Sequence, residues 1–510
     1  MIDNSKQRKL GAILSYLNIL IATAVGILYT PFLLRALGQS EYGLYSLILA
    51  LMSFLAILDL GFGNSIVRFN AKLRALKDDQ GIARLNGLFV ILYSAMAIIA
   101  LGIGYFIYQD FDVFIGDSLT ADEAARAKIM FTILIVNLAF TLFMSIYNSL
   151  LIAYEKFVIV QTFALFRTLL MPIIMTPLLL FGYGSIALVV VNVSLNVIVL
   201  LGAAMYCYTN LKVKITFTGL DYGLFKDIST YSFFILLNIL VDKLYAPTSQ
   251  YILGVTTGTT AVAVYAIGIQ FTTYFTMLST SINSVFLPKI TQLVVEEKFK
   301  EISNVFIKTG RIQFIILAFV LSGFILFGQE FIKLWAGPEY VNSYIIALII
   351  MVPSIIPLSQ NMAIVILQAR NQLKFRVLVY LIIAIVSVGL SYYLSNLWLE
   401  IGPAISVATA TLLGQILIMN YYYFKKVQLD IPQYWKQVLP ITCRMALMMG
   451  VFYMFYRMII VEYSWGNLAL SVFVYSLITF FYMYKRIMND YERGLFSGVI
   501  KRVYLKRGLK

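Results

Sequence analysis

Residues 229–253 read STYSFFILLNILVDKLYAPTSQYIL. The run is long enough to cross a bilayer as one helix, since about 20 predominantly apolar residues span the hydrocarbon core. Two charges, Asp242 and Lys243, stand side by side inside it. A charge at the centre of a membrane helix costs roughly 2.5–3.5 kcal/mol on insertion scales, so one that is kept marks a polar pathway or a polar lock. On a helix Asp242 shares a face with Asn238, Tyr245 and Ser249. Lys243 points about 100° away, so the two charges are not an ideal pair for each other. Pro247 then interrupts the hydrogen-bond ladder and leaves a backbone carbonyl free. Two readings stay open: a bendable helix lining a cavity, or a structural ion pair with a neighbouring span.

Runs of the same kind repeat outward from this one to both ends of the chain. Of the 510 residues, 61% are hydrophobic and only 12% are charged, and the mean hydropathy is +0.87. Soluble domains are nearer half apolar. The runs are continuous and do not alternate, which disfavours a β-barrel. The fold class expected is an all-α polytopic membrane protein of about fourteen transmembrane helices. Their approximate limits are Leu10–Leu34, Tyr42–Val67, Leu85–Tyr108, Ile129–Ala153, Val158–Phe181, Ile186–Tyr208, Ser229–Leu253, Ala261–Leu287, Ile312–Phe327, Tyr344–Leu367, Val377–Leu397, Ile401–Phe424, Val438–Ile460 and Leu468–Tyr484. The ninth is short, and a tight turn is expected at Gly182-Tyr183-Gly184. The charged start, Met1–Lys9, leads into a first helix that is read as retained, because no small-residue cleavage site follows.

The formal net charge of +15 is explained by topology and not by nucleic acid. Lys6, Arg8 and Lys9, the loop from Arg68 to Arg84, the loop from Lys289 to Arg311 and the tail from Lys485 to Lys510 all fall on one side. The other side is rich in acids, among them Asp110, Asp112, Glu123, Glu339 and Glu462. By the positive-inside rule both termini are cytoplasmic and the span count is even. The loops are too short for an external catalytic domain. There is no histidine, no CxxC, no GxxxxGK[ST] and no HExxH, so no metal centre and no cofactor are expected, and the chain is read as no enzyme. The work must lie between the helices.

A faint repeat supports that placement. Leu37-Gly38 and Asn64-Ser65-Ile66 around the second span echo Leu253-Gly254 and Asn283-Ser284-Val285 around the eighth. A six-span unit would put two parallel six-helix lobes, 1–215 and 216–430, around a central cleft, with two C-terminal helices and a basic tail in 431–510.

Other charges lie in or near spans. Arg167 lies about ten residues, roughly 15 Å, into its span, ahead of Pro172 and Pro177. It reads either as an anion-binding residue or as a partner for a buried acid such as Asp59. Asp59 precedes Leu60-Gly61-Phe62-Gly63, with Arg68 closing the segment. It reads as a coupling acid or as a helix-end fixture. Arg35 reads as a vestibule residue or as a snorkelling one. Tyr265, Gln270 and Tyr274 lie deeper than an interfacial belt and suit sugar hydroxyls.

The stretch Leu37-Gly38-Gln39-Ser40-Glu41-Tyr42-Gly43-Leu44-Tyr45-Ser46, the segment Asp59-Leu60-Gly61-Phe62-Gly63 leading to Arg68, and later Leu253-Gly254-Val255, Val262-Ala263-Val264-Tyr265-Ala266 and Val285-Phe286-Leu287-Pro288 together resemble the Wzx-type oligosaccharide flippases of the multidrug/oligosaccharidyl-lipid/polysaccharide exporter superfamily. The resemblance implies two six-helix lobes, a central cleft and two further helices. It implies translocation of an undecaprenyl-diphosphate-linked oligosaccharide across the bacterial cytoplasmic membrane, for O-antigen, capsule or exopolysaccharide synthesis. The partners implied are that lipid-linked oligosaccharide, membrane lipid and a polysaccharide polymerase, with no nucleic acid. Cationic residues would hold the diphosphate. Arg35, Arg68, Arg167 and Lys243 are the candidates by position, with Tyr265 and Gln270 toward the sugar and Asp59 and Asp242 as coupling acids or counter-charges. The same fold also serves peptidoglycan-lipid flippases and cation-coupled multidrug exporters, which stay open as alternatives.

Overall fold

The computed structural model describes residues 4–115, 118–218, 222–370, 372–459 and 464–494, all helix and connecting turns with no strand among them. In chain order the helices are α1 (Asn4–Leu37), α2 (Gln39–Leu55), α3 (Phe62–Ala75), α4 (Asp79–Gln109), α5 (Phe111–Ile115), α6 (Ala121–Ala153), α7 (Phe157–Leu180), α8 (Ser185–Thr209), α9 (Tyr222–Leu244), α10 (Ala246–Thr256), α11 (Thr259–Val295), α12 (Phe299–Trp335), α13 (Asn342–Ser359), α14 (Met362–Ala369), α15 (Leu373–Trp398), α16 (Ile401–Ala410), α17 (Met419–Lys425), α18 (Ile431–Ile459) and α19 (Trp465–Tyr482). Among the described residues, 13 helical segments are long and apolar enough to cross a membrane. This is a multi-pass all-α membrane protein.

The expected seventh span is not one helix. The chain breaks at Tyr245, with φ −89° and ψ −95°, and restarts as α10 with Pro247 in its first turn. Asn238, Asp242, Tyr245 and Ser249 therefore do not form one unbroken helical stripe, and the side chains of Asn238 and Asp242 lie outside the described residues. The expected ninth span is not short either. Helix α12 runs for 37 residues. Lys300, Lys308 and Arg311 ended the apolar window early, but they do not end a helix whose other face stays buried. The tight turn at 182 is present, with Gly182 at φ +85°. The glycines of the repeat differ in role. Gly38 precedes α2 at φ +79°, whereas Gly254 lies inside α10, packed against Leu47. The matching side chains at 283–285 lie outside the described residues.

The chain divides into two compact units, and the first comprises Met1–Ala266 with Val388–Pro403. Within it α1 packs on α7, α4 on α6 and α6 on α8. The apolar core gathers at two levels, around Leu44, Ile48, Phe111 and Phe131 toward the acid-rich end and around Phe62, Phe89, Tyr93 and Leu150 toward the basic end. Of α7 only Met175 and Leu179 are buried. An apolar helix this bare suits a hydrocarbon surrounding, where every backbone polar group is already paired along the helix.

Helices α9 and α10 run beside α2 and α3. The second span, like the seventh, is broken: a tight turn at Ala56–Asp59 ends the first half, and Leu60 and Gly61 follow in the left-handed region at φ +51° and +71°. Gly61 is needed for closeness as well as for its backbone, since an added Cβ would lie 2.3 Å from Cγ2 of Ile235 on α9. One turn on, the hydroxyls of Ser65 and Ser232 are hydrogen-bonded at 2.7 Å in a buried contact. Toward the acid-rich end, a Cβ on Gly43 would lie 1.8 Å from the carbonyl oxygen of Thr259. There Glu123 does double duty. It completes a capping box with Thr120 at the start of α6, and its other oxygen accepts from Thr259 at 2.8 Å and from Ser40.

The second unit comprises Ile267–Ser387 with Ala404–Lys510. Helix α12 is its spine, packed against α13, α18 and α19. Near the basic end Arg311 makes two parallel bonds to Glu492, at 2.8 Å and 3.1 Å, and also donates to the carbonyls of Gln437 and Ile487. Helices α12 and α18 and the segment after α19 are joined through this one guanidinium.

Candidate functional site

The polar interior of the first unit is built on α6. In this apolar helix Asn137, Thr141, Ser145 and Asn148 recur at helical spacing and form a stripe along one face. Asn192 and Asn196 do the same on α8, one turn apart. Arg167, projecting from α7 between them, donates to Oδ1 of Asn192 at 2.5 Å and to Oδ1 of Asn196 at 3.3 Å. Asn196 in turn donates to Asn137 at 3.0 Å and to Thr141 at 2.8 Å. Both amides thus turn an oxygen toward the guanidinium, and Asn196 passes its N–H₂ on to α6. The three helices are tied at one level by a chain of directed bonds.

Thr141, Ser145, Asn148, Arg167, Asn192 and Asn196, with Tyr29 and Tyr45, line a cavity of about 760 Å³. Arg167 keeps accessible surface there. Among the described residues no carboxylate lies in ion-pair range of it. The alternative that Arg167 neutralises Asp59 is therefore not met. Asp59 instead lines a second cavity of about 470 Å³ with Asn64, Tyr93, Asn148 and Ser149. Thr141, Ser145 and Asn148 belong to the walls of both cavities, so the stripe on α6 separates a cationic chamber from an acidic one. A cation held by neutral amides beside open volume is suited to an anion such as phosphate, since a guanidinium offers a planar fork of donors.

The other residues read from the sequence fall elsewhere. Arg35 is exposed in the last turn of α1 and Arg68 is exposed on α3, its guanidinium 5.9 Å from the ring of Phe69. Neither lines the two cavities. Lys243 is half-buried, one residue before the end of α9. Tyr265 is fully buried at 0% exposure, its hydroxyl turned toward Ser249. In this arrangement it offers no surface to a sugar. Gln270 belongs to the second unit and donates to the hydroxyl of Tyr274 at 2.7 Å. Of the cationic candidates, Arg167 alone is on the wall of the larger cavity. Sequence reasoning missed the asparagines around it. Their signal was Asn192 and Asn196 four apart in a span that is otherwise apolar.

Comparison with known proteins agrees with this architecture. A family model for polysaccharide biosynthesis proteins matches residues 10–294. A Shigella flexneri protein, provisionally named an O-antigen transporter, is 21% identical over 412 residues, covering 79% of this chain and 94% of that one. Among solved structures, the lipid II flippase MurJ in an inward closed conformation superposes with a TM-score of 0.71 at 15% identity, over 93% of this chain and 98% of the other. An inward-facing multidrug-resistance MATE family transporter of the MOP superfamily gives 0.65 at 14% identity, over 82% and 94%. Both likenesses show that this chain shares its fold with these two structures. With its match extending over more than half its length, the chain belongs to the polysaccharide biosynthesis protein family.

Proposed function

We propose that the protein is a flippase that carries a polyprenyl-diphosphate-linked oligosaccharide from one leaflet of the bacterial cytoplasmic membrane to the other, and that Arg167 holds the phosphate. The observation that carries the reading is the guanidinium of Arg167 on the wall of the 760 Å³ cavity, bonded to amides and, among the described residues, to no acid. A diphosphate in a membrane needs a cation, because its bare charge in hydrocarbon is prohibitive. A sugar chain needs hydrogen-bonding walls, which Asn148, Asn192 and Ser145 supply. The lipid tail needs none and remains in the bilayer. The family and the Shigella relative support a cargo of polysaccharide synthesis. A cationic drug is disfavoured as cargo by the same arginine. The lobes 1–215 and 216–430, with 431–510 beside them, alternating access between them and cytoplasmic termini given by the basic loops are parts of this proposal.

The test is translocation of an undecaprenyl-diphosphate-linked oligosaccharide in proteoliposomes, read by the loss of accessibility to an external lectin or enzyme. Wild-type protein should move it. Arg167→Ala should slow transfer at least tenfold, and Arg167→Lys should restore part of it. Equal rates in wild-type and Arg167→Ala liposomes would sink the assignment. Peptidoglycan lipid, offered alone and in competition, shows whether the sugar or only the diphosphate is selected.

A further inference from the structure

We infer that a cavity at the start of α4 holds the headgroup of a singly charged anionic phospholipid of the phosphatidylglycerol class. The cavity measures about 430 Å³ and is walled by Asp79, Gln80 and Arg84 of α4 and by Lys214, Thr216 and Thr218 of the segment after α8. It lies at the basic end of the first unit, apart from both cavities on the stripe of α6. Its level suits a headgroup. Ile91, apolar and 42% exposed, stands about 10 Å further along α4 than Arg84. Outward-facing apolar surface begins there, so Arg84 sits at the border of the hydrocarbon.

The wall is fixed by backbone contacts. Asn86, only 1% exposed, donates to the carbonyl of Lys214 at 3.0 Å, and the N–H of Thr216 donates to the carbonyl of Ala83 at 3.0 Å. Glycine at 87 admits the approach, since an added Cβ would lie 2.0 Å from the carbonyl oxygen of Thr216. Alternate residues of the segment then part. Val213 and Ile215 pack on the apolar core, whereas Lys214, Thr216 and Thr218 line the cavity. Phe217 runs past the core and is 57% exposed, an apolar contact for an acyl chain. Among the described residues Arg84 and Lys214 have no ion-pair or hydrogen-bond partner. Two cations against the one carboxylate of Asp79 leave a single positive charge on the wall. A phosphodiester supplies one negative charge, and a guanidinium offers it a planar fork of donors. The two threonine hydroxyls and the amide of Gln80 suit the hydroxyls of a glycerol headgroup. Basic pockets at the membrane surface bind headgroups of this kind.

The site does not depend on which cargo is carried, and it is tested without one. Purified full-length protein, stripped of lipid in detergent micelles, is titrated with phosphatidylglycerol, and bound lipid is counted by native mass spectrometry. A site that takes phosphatidylglycerol at least tenfold more tightly than phosphatidylethanolamine is expected. Arg84→Gln with Lys214→Gln should weaken it at least tenfold. The charge-matched control, Lys72→Gln with Lys300→Gln, removes two exposed cations that are not on this wall and should leave the affinity within about twofold. Equal affinity for the two lipids overturns the proposal. So does a control that loses as much as the double variant, since overall charge would then set the preference. If the double variant does not fold, Arg84→Gln alone decides, and unchanged affinity there overturns the site. Displacement of the lipid by an equal concentration of inorganic phosphate would show a site for a soluble anion, which also overturns it. Failure of the Arg167 reading would leave phosphatidylglycerol binding intact, so the two are separable.

Discussion

The hydroxyl of Thr248 donates to the carbonyl of Lys243 at 3.1 Å, filling the place that Pro247 leaves without a donor. In an unbroken helix the N–H of residue 247 would bond to the carbonyl of residue 243. Proline has no such hydrogen, and Thr248, itself buried, supplies one from its side chain. Thr248→Val should destabilise the fold by about 1–3 kcal/mol, the penalty of an unpaired buried acceptor, seen as a lower melting temperature in detergent. Adding Pro247→Ala to that variant should recover most of the loss, because the backbone donor returns. If the double variant melts as low as the single one, the carbonyl is not the cause.

Gly61 combines a left-handed backbone, φ +71°, with a neighbour 2.3 Å from where a Cβ would stand. Gly61→Ala should cost about 1–3 kcal/mol in backbone strain alone and should also push α9 away. Shortening the obstructing side chain by Ile235→Ala should restore part of the melting temperature in the double variant. The backbone share should persist. Full recovery would mean that closeness, and not conformation, selects glycine there.

Breaking the pair of Arg311 with Glu492 should be severe. The side chains are only 12% and 3% exposed, so Glu492→Ala strands a buried guanidinium. Losses of about 3–5 kcal/mol follow the removal of one partner from such a pair. Replacing both, as Arg311→Met with Glu492→Leu, should be far milder. Thermal melts followed by size-exclusion chromatography measure both. A double variant as unstable as the single one would show that the carbonyl bonds to Gln437 and Ile487 matter more than the charge.

At the acid-rich end, Glu123→Gln keeps one acceptor oxygen and must abandon either Thr120 or the pair Ser40 and Thr259. Hydrogen bonds to a charged group contribute about 1.5–3 kcal/mol, so local opening should rise roughly tenfold or more. A cysteine at Ala261, buried two residues on from Thr259, reports this in a background lacking Cys207 and Cys443. Its labelling by an impermeant maleimide should quicken by that factor. Unchanged labelling would remove Glu123 as the clasp of this end.

Sequence and structure divide unevenly over this protein. Long apolar runs are a local property, and they established a multi-pass helical protein because the bilayer permits few other solutions. Glycine and proline marked the breaks in the second and seventh spans for the same reason: their backbone limits travel with the residue. The length of α12 was not legible, since a window average falls at Arg311 although the helix continues. The polar site was legible only in part. Arg167 stood out as a charge, but nothing local distinguished an anion-binding arginine from one neutralised by Asp59.

That distinction rests on which helices are neighbours. Residues 167, 192 and 196 meet because α7 packs on α8 and α8 on α6, while Asp59 falls behind the stripe of α6 with Tyr93. Likewise Asp242 and Lys243 announced a polar element in the seventh span, and the sequence alone showed that Pro247 must free the carbonyl of Lys243. Only the folded chain turned that freed carbonyl into a bonded one and divided the span at Tyr245. Hydropathy and backbone chemistry belong to the residues themselves. The partner of a charge is set by helices far apart in sequence, and the fold alone brings them together.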